Sequence, residues 1–273
     1  MSSVSSVKIY YSGNTLPDKL NNLSDKTIEN MKSQAELVFA NFLQTSGRTP
    51  LVTWIDDDTS ITSIPNVKSI CDTLKIKATF GCITDRLDSV PGLKDLLLSY
   101  QDEGHHITTH SAGHGYIWYS SRAEYNVDAC EIDLIKSLKI LRQYGFLESD
   151  YIVTPAGSYT PELQRMCKKW TKGLIRADGG ANHLYNGGRY GIKRVFINKS
   201  LHDLAYYKTL IDDAFTNGDW IIFGTHSNIS GEWDSQLVTD VFSYVASKGI
   251  DVMTLNQAMK QRKYVYDVYE MFG

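Results

Sequence analysis

The amino-acid sequence predicts an α/β fold, namely a distorted (β/α) barrel of seven or eight mainly parallel strands with an N-terminal helical extension. Between residues 51 and 254, short apolar runs alternate with segments of helical periodicity. That alternation implies parallel strands joined by right-handed crossovers. Seven or eight repeats favour a closed or distorted barrel over an open sheet. The chain has 273 residues, 42% of them hydrophobic, which is enough to bury one such core.

The predicted strands are short and apolar, and longer amphipathic helices separate them. The Gly-rich stretch Asp178–Gly191 is predicted to be a loop. Strands are predicted at Leu51–Ile55, Ala78–Ile83, His106–Thr109, Tyr151–Thr154, Leu174–Ala177, Val195–Ile197, Trp220–Thr225 and Asp251–Thr254. Helices are predicted at Val67–Leu74, Leu93–Tyr100, Arg122–Tyr144, Pro161–Trp170, Leu204–Phe215 and Ser235–Ser247.

Residues 1–47 are predicted to form an N-terminal extension, and residues 48–273 the main domain. Within Leu16–Phe42, small or apolar residues recur at alternating spacings of four and three, which predicts an amphipathic helix. The helix either packs on the main domain or joins copies of the chain in a homo-oligomer as a short coiled coil. No basic segment followed by an apolar run, typical of a signal peptide, is visible. The sequence therefore suggests a cytoplasmic protein or a component of a phage or cell-surface assembly.

Charge and cysteine content exclude several classes of function. Lys and Arg number 28 against 31 Asp and Glu, so no basic excess indicates a nucleic-acid partner or an anionic membrane surface. No apolar stretch approaches the roughly 20 residues of a membrane span. The four cysteines show no C-x-x-C spacing, which predicts buried free thiols rather than a zinc or redox motif.

Acidic and imidazole side chains cluster just beyond three predicted strands, at the rim where barrel folds place active sites. Adjacent carboxylates after a buried strand repel one another, and a divalent cation with oxygen and imidazole ligands would relieve that repulsion. A solvated acidic turn, a helix cap or structural histidines would explain each cluster taken singly. The clustered residues are Asp56, Asp57, Asp58, His110, His114 and His226.

Three motifs, within roughly residues 50–260, resemble those of the polysaccharide deacetylase (NodB-homology) family. The first is the stretch Thr53–Ser60, with sequence TWIDDDTS, and the third is the apolar strand Trp220–Thr225 followed by His226. The second, GHHITTHSAGH at Gly104–His114, is the most specific of them. The resemblance identifies residues 48–273 as a polysaccharide deacetylase-like catalytic domain.

The resemblance implies a hydrolase that removes acetyl groups from an N- or O-acetylated polysaccharide or oligosaccharide with metal-activated water. Asp58, His110 and His114 would bind a divalent metal, zinc in the first instance, with nickel or cobalt as alternatives. Asp57 would act as the general base, and His226 as the acid that protonates the leaving amine or alcohol.

The register of the first motif has two solutions. If Asp58 stands at the family's glycine position, Asp56 becomes the base and Asp57 the metal ligand. The other register is favoured, because Trp54 then falls on the motif's aromatic position and Ser60 on its serine.

A further family motif, an arginine followed by a proline-containing loop, is only partly matched. Val153 occupies the arginine position of the stretch Val153–Gly157. Without that cation, either the pKa of Asp57 is higher than in the family or Arg176 or Arg189 substitutes from another loop. The Ala156 backbone N–H is expected to bind the oxyanion.

Substrate contacts are expected from this loop and from the aromatic residues beyond His114. A sugar ring can stack on an aromatic face, and the sequence has 17 tyrosines and 5 tryptophans. The candidates are Tyr116, Trp118, Tyr119, Pro155, Ala156 and Gly157, with Tyr185 and Arg189 as weaker ones.

Two other functions are compatible with the same motifs. One is a catalytically inactive carbohydrate-binding or structural module, suggested by the missing arginine and by the N-terminal extension. The other is a metal hydrolase acting on a non-sugar amide or ester.

Overall fold

The computed structural model describes residues 49–118, 127–183 and 188–262. The predicted N-terminal helix and the homo-oligomer it would form lie outside the described residues, as do Tyr119, Tyr185 and the Tyr116 side chain. Within the described ranges, no helix is long and apolar enough to cross a membrane.

Nine strands and eight α-helices follow one another along the described chain. Two short 3₁₀ turns, Tyr116–Trp118 and Pro155–Gly157, lie near the site described below. The strands are β1 Leu51–Asp56, β2 Thr79–Cys82, β3 His106–Thr109, β4 Tyr151–Val153, β5 Gly173–Arg176, β6 Tyr190–Lys193, β7 Val195–Phe196, β8 Trp220–Thr225 and β9 Asp251–Val252. The helices are α1 Ile64–Leu74, α2 Arg86–Ser89, α3 Leu93–Asp102, α4 Val127–Gln143, α5 Pro161–Trp170, α6 Leu204–Asn217, α7 Ser235–Ser247 and α8 Leu255–Gln261.

Eight of the strands form a nearly closed, distorted barrel, in the order β6-β5-β4-β3-β2-β1-β8-β7. Every pair of named strands is parallel, and β9 pairs with the first half of β1. The predicted distorted (β/α) barrel is therefore confirmed. Since all strands run the same way, their carboxyl ends meet at one rim.

Three of the helices and strands differ from the sequence-based prediction. Strand β6 lies partly within the predicted Gly-rich loop, and helices α2 and α8 lie where the sequence predicts no helix. Strand β6 is only half-buried and contains Gly191, so its sequence lacks the continuous apolar character of its neighbours. A glycine suits position 191, because a side-chain Cβ there would lie only 3.1 Å from the Tyr159 hydroxyl. Helix α8 begins with a capping box between Thr254 and Gln257. The cap residue Thr254 is the last residue of the predicted strand Asp251–Thr254.

Strand β1 lies at the centre of the sheet, with all six of its residues buried. Its side chains alternate between two apolar clusters, as expected for a strand covered on both faces. Val52 and Trp54 pack on the helix side, where Trp54 stacks on Phe242 of α7 with ring centroids 4.7 Å apart. Leu51 and Ile55 pack inside the barrel. This packing fixes the position at which β1 ends, and hence the position of the carboxylates that follow.

The four cysteines are free and buried, as predicted. They lie on three helices and one strand. Burial raises the pKa of the Cys82 and Cys167 thiols to about 12. Because the thiolate is the nucleophilic form, these two side chains are inert at neutral pH.

Two buried histidines at the start of β3 are expected to make stability depend on pH. Burial lowers the pKa of both His105 and His106 to about 4. His105 Nδ1 accepts from the Ala78 N–H at 3.1 Å, a bond that protonation of Nδ1 would abolish. Between pH 6.5 and 4 the unfolded chain thus binds more protons than the folded one, so the free energy of unfolding falls as the pH falls.

The expected loss is roughly 2 kcal/mol per histidine between pH 7 and pH 5. Urea unfolding at the two pH values measures it. His106→Gln should reduce the difference, whereas His202→Gln, at an exposed position, should leave it unchanged. An equal pH dependence in both variants would contradict the assignment.

Candidate metal centre and active site

The side chains of the candidate site lie at the carboxyl rim of the barrel, beyond β1, β3 and β8. Strand β1 pairs with both β2 and β8, and β2 pairs with β3. Residues directly after these strands are therefore neighbours in space although they are far apart in sequence. Asp57 and Asp58 follow β1, His110 and His114 follow β3, and His226 follows β8.

Asp58, His110 and His114 lie together, each offering one ligand atom, and these atoms all lie within 4.8 Å of one another. Asp58 Oδ1 is 3.6 Å from His110 Nε2 and 3.7 Å from His114 Nε2. Ligands about 2.1 Å from a tetrahedral ion are about 3.4 Å apart. The observed separations are therefore close to those that a bound divalent ion requires.

Two buried atoms that face one another at this site have no hydrogen-bond partner, namely His110 Nε2 and Asp57 Oδ2. They are 3.8 Å apart. His110 Nδ1 donates to the Val153 carbonyl at 2.7 Å, which directs the lone pair of Nε2 into the site. Buried polar atoms without partners are costly, and a cation beside the imidazole and a water beside the carboxylate would satisfy both. The residues present thus fit a divalent metal ion.

The backbone at the metal centre adopts conformations that L-residues rarely adopt. The φ angles are 69° at Asp58, 69° at Ser111 and 51° at His114. Such backbone strain costs on the order of 1 kcal/mol per residue and is concentrated at functional sites. Two hydrogen bonds hold these backbone conformations in place. Arg86 Nη1 donates to the Asp58 carbonyl at 2.5 Å, and the His114 N–H donates to Ser111 Oγ at 2.9 Å.

Asp133 of α4 fixes the loop that carries the two histidines. Its carboxylate accepts hydrogen bonds from the backbone N–H groups of Ala112 and Gly113, each at 3.0 Å. It also accepts from Trp118 Nε1 at 2.9 Å. Trp118 is fully buried among apolar residues of α4 and α5. The prediction that Trp118 contacts substrate is therefore wrong, because no face of its ring is open to a sugar.

Arg194, between β6 and β7, supplies the cation that pairs with Asp57. Arg194 Nη1 lies 2.6 Å from Asp57 Oδ1, and both side chains are 1% exposed. Burial alone would raise the pKa of Asp57, but the nearby Arg194 outweighs it and holds that pKa below its usual value. The sequence-based prediction that the pKa of Asp57 is raised, or that Arg176 or Arg189 replaces the missing arginine, is therefore wrong. Arg176 pairs instead with Asp178 at 2.8 Å.

His226 completes the site on the other side of Asp57. Its Nε2 lies 3.7 Å from Asp57 Oδ2, and its Nδ1 donates to Glu232 Oε2 at 2.8 Å. The imidazole stacks on Phe196 with centroids 4.7 Å apart, and the Arg194 guanidinium lies 4.7 Å from the same ring centroid. The orientation of His226 is thus fixed by a carboxylate and by an aromatic face.

Comparison with known protein families gives a match for part of the chain. Residues 44–172 match the family model described as Polysaccharide deacetylase. This segment belongs to the polysaccharide deacetylase family. No curated protein sequence gives a significant match.

Three solved structures share the fold of this chain at low sequence identity. The chitin deacetylase from the fungal pathogen Colletotrichum lindemuthianum has a TM-score of 0.58 and 14% identity, over 78% of this chain and 88% of that chain. A family 4 acetyl xylan esterase from Clostridium thermocellum, in complex with a cobalt ion, has a TM-score of 0.55 and 17% identity, over 77% of this chain and 90% of that chain. A CE4 family pseudoenzyme from Bacillus anthracis has a TM-score of 0.55 and 12% identity, over 77% of this chain and 66% of that chain.

Asp56, the base in the alternative register of the deacetylase motif, is not part of the metal cluster. Its Oδ1 accepts from Thr225 Oγ1 at 2.6 Å and from the Ser227 N–H at 3.0 Å, and its Oδ2 accepts from Ser227 Oγ at 2.7 Å. Burial raises its pKa to about 7. These hydrogen bonds join the end of β1 to the end of β8, so the contacts of Asp56 are structural.

The loop Pro155–Gly157, at the family's arginine-proline motif, follows β4 as a 3₁₀ turn. Pro155 is buried, whereas Ala156 is exposed and has a φ of 53°. Gly157 is required at its position, because a Cβ there would lie 2.5 Å from Ala177 Cβ. Among the described residues the Ala156 N–H has no hydrogen-bond partner, so it is available to a ligand.

Three residues of the site were not identified from the sequence, namely Arg194, Glu232 and Gly81. Gly81 of β2 leaves room for Asp57, since a Cβ there would lie 3.2 Å from Asp57 Oδ1. The sequence offers only a weak signal for Arg194, which is one of two consecutive charged residues between the apolar Ile192 and Val195. Nothing in the sequence links Glu232 to His226 except a separation of six residues.

Proposed function

We propose that this chain is a metal-dependent hydrolase that removes acetyl groups from an N- or O-acetylated polysaccharide. The observation that carries the proposal is the cluster of side chains at the barrel rim. Three converging ligand atoms lie beside a carboxylate that is paired with an arginine on one oxygen and has no partner on the other. Membership of the polysaccharide deacetylase family supports the type of reaction.

Asp58, His110 and His114 would hold the metal. One carboxylate with two imidazoles suits zinc, and also nickel or cobalt. The similar acetyl xylan esterase structure contains cobalt. When bound, such an ion polarises the acetyl carbonyl and lowers the pKa of a water molecule.

The chain's own residues then move the protons. Asp57 Oδ2 accepts the proton of the attacking water, while Arg194 holds the other oxygen and keeps the carboxylate ionised. His226 Nε2, on the opposite side of Asp57, donates a proton to the leaving amine or alcohol. Glu232 binds the Nδ1–H of the same ring, so the protonated imidazole presents its second N–H to the substrate. The Ala156 N–H is the candidate donor to the carbonyl oxygen.

An inactive carbohydrate-binding module is the second candidate function. The similar structure from Bacillus anthracis is described as a pseudoenzyme, and this chain has Val153 at the family's arginine position. The Arg194–Asp57 pair favours activity, because it supplies the missing cation from a different strand.

The proposal is tested first by the metal content of protein purified without a chelator. We expect about one divalent ion per wild-type chain and none in a His110→Ala/His114→Ala variant, because two of three ligands are lost. A His183→Ala/His202→Ala variant, altered at two exposed positions, should retain the ion. Plasma mass spectrometry measures all three. An ion retained by the first variant, or none in the wild type after zinc addition, would contradict the proposal.

Acetate release identifies the substrate class. Acetylated xylan and N-acetylglucosamine oligomers test O- and N-deacetylation, and a panel of non-sugar amides and esters tests the remaining metal-hydrolase alternative. Release from the sugars alone supports the proposal. Sugar binding without turnover, equal in the wild type and Asp57→Asn, would favour the inactive module.

A further inference from the structure

Asn228, in the loop after β8, binds one of the three residues proposed to hold the metal. Its Nδ2 donates to Asp58 Oδ2 at 3.1 Å. An ionised carboxylate only accepts hydrogen bonds, so the amide nitrogen and not the amide oxygen must face Asp58. The preceding residue, Ser227, holds Asp56 through both its N–H and its hydroxyl. Two successive residues of this loop thus bind two of the three aspartates at the end of β1.

The two carboxylate oxygens of Asp58 face different partners. Oδ1 lies 3.6 Å from His110 Nε2 and 3.7 Å from His114 Nε2, whereas Oδ2 accepts from Asn228. Hydrogen bonds from outside a metal site orient the ligands within it. A carboxylate held at Oδ2 in this way directs only Oδ1 toward the space between the two imidazoles.

Backbone hydrogen bonds fix the loop that carries Asn228. The Ile229 N–H donates to the His226 carbonyl at 3.1 Å, and the Ile229 carbonyl accepts from the N–H groups of Glu232 and Trp233, each at 2.9 Å. The Trp233 side chain packs against the apolar cluster on the helix side of the sheet. Although Asn228 is exposed, the turns on both sides of it hold its backbone in place. Little conformational entropy is therefore lost when its amide binds the carboxylate.

The Asp58 carboxylate is held by a neutral donor, whereas the Asp57 carboxylate is held by a cation. Arg194 keeps Asp57 ionised and compensates its charge. A cation bound to the Asp58 carboxylate would instead weaken its attraction for a divalent ion. The amide of Asn228 fixes one oxygen and leaves the negative charge of the carboxylate available.

We propose that Asn228 is a positioning residue that makes Asp58 a ligand through Oδ1 alone. The inference rests on the proposed function for the assignment of Asp58 as a metal ligand. A catalytic metal site needs a position that no protein atom occupies. Asn228 keeps the second oxygen of Asp58 from taking that position. Because His226 belongs to the same loop, one segment sets both the orientation of the metal ligand and the place of the proposed acid.

The test is a titration of the metal-free protein with Co²⁺, which gives the visible spectrum at saturation and the dissociation constant. Asn228→Leu removes the donor and keeps the side-chain size. We expect weaker absorption at saturation, because the freed Oδ2 adds a ligand and Co²⁺ absorbs less strongly as its coordination number rises. We also expect about tenfold weaker binding, since an unrestrained carboxylate must be ordered when the ion binds.

Two further variants complete the titration. Asn228→Ala removes the donor without adding apolar surface, and it should change both quantities in the same direction. Ser230→Ala, at an exposed position in the same loop, should match the wild type. If the two Asn228 variants match the wild type in either quantity, the inference is overturned.

Failure of the proposed function gives a different pattern. A wild type that binds Co²⁺ but releases no acetate from any substrate would refute that function, and the spectra would still decide the role of Asn228. A wild type that releases acetate while Asn228→Leu binds Co²⁺ with an unchanged spectrum would refute the inference alone. A wild type that binds no Co²⁺ would overturn both.

Discussion

Asp57→Asn is expected to reduce kcat for acetate release by roughly 10³-fold, because it removes the proposed general base. Asparagine has nearly the same shape, and Asp57 is not among the three converging ligands, so the metal content should stay near that of the wild type. Acetate release at saturating substrate, with metal analysis on the same preparation, measures both quantities.

Asp56→Asn is the matched control for the neighbouring position. Asp56 accepts hydrogen bonds from Thr225 and Ser227, and an asparagine can keep most of them because the Ser227 hydroxyl can reverse its role. We expect a loss of less than about tenfold. If Asp56→Asn is the inactive variant and Asp57→Asn loses its metal, the alternative register of the motif is correct.

Arg194→Met is expected to destabilise the fold by about 3–5 kcal/mol, because it leaves the buried Asp57 carboxylate without its cation. Methionine retains much of the apolar volume, so the lost charge dominates the effect. Urea unfolding at neutral pH measures the free energy. The double variant Asp57→Asn/Arg194→Met should recover most of the loss, since no buried charge remains to be compensated. If the double variant is no more stable than Arg194→Met, packing rather than charge explains the effect.

The same variant also has a pH signature. Arg194 is the nearest cation to Asp57, and its removal raises the pKa of that carboxylate. The base must be ionised to accept a proton, so the acid limb of the kcat/KM profile should move to higher pH. A purely structural role for Arg194 would lower activity without moving that limb.

The ion pair between Arg194 and Asp57 explains how the chain can lack the arginine of the family motif and still pair this aspartate with a cation. The family's arginine position is Val153 on β4, and its backbone carbonyl, not its side chain, serves the site by orienting His110. The charge comes instead from Arg194, which approaches Asp57 from the β6–β7 side of the barrel. The missing arginine is therefore not by itself a sign of lost catalysis.

The sequence by itself determined the order of strands and helices, and the positions of Asp57, Asp58, His110, His114 and His226 beyond strand ends. These are local properties, since apolar periodicity and motif spacing extend over only a few residues. Parallel strands then bring their carboxyl ends together, so the strand assignment alone predicted that the motifs would meet at one rim.

Only the tertiary structure decided which cation pairs with Asp57, which aromatic rings remain open to substrate, and which of the three aspartates joins the metal cluster. Arg194 is 137 residues from its partner, and a single sequence carries no trace of that contact. In the linear sequence Trp118 closely follows His114 and is a candidate sugar contact, yet the packing of α4 and α5 buries it completely. Burial and long-range pairing depend on how the elements pack against one another, and that packing is not encoded in any one local pattern.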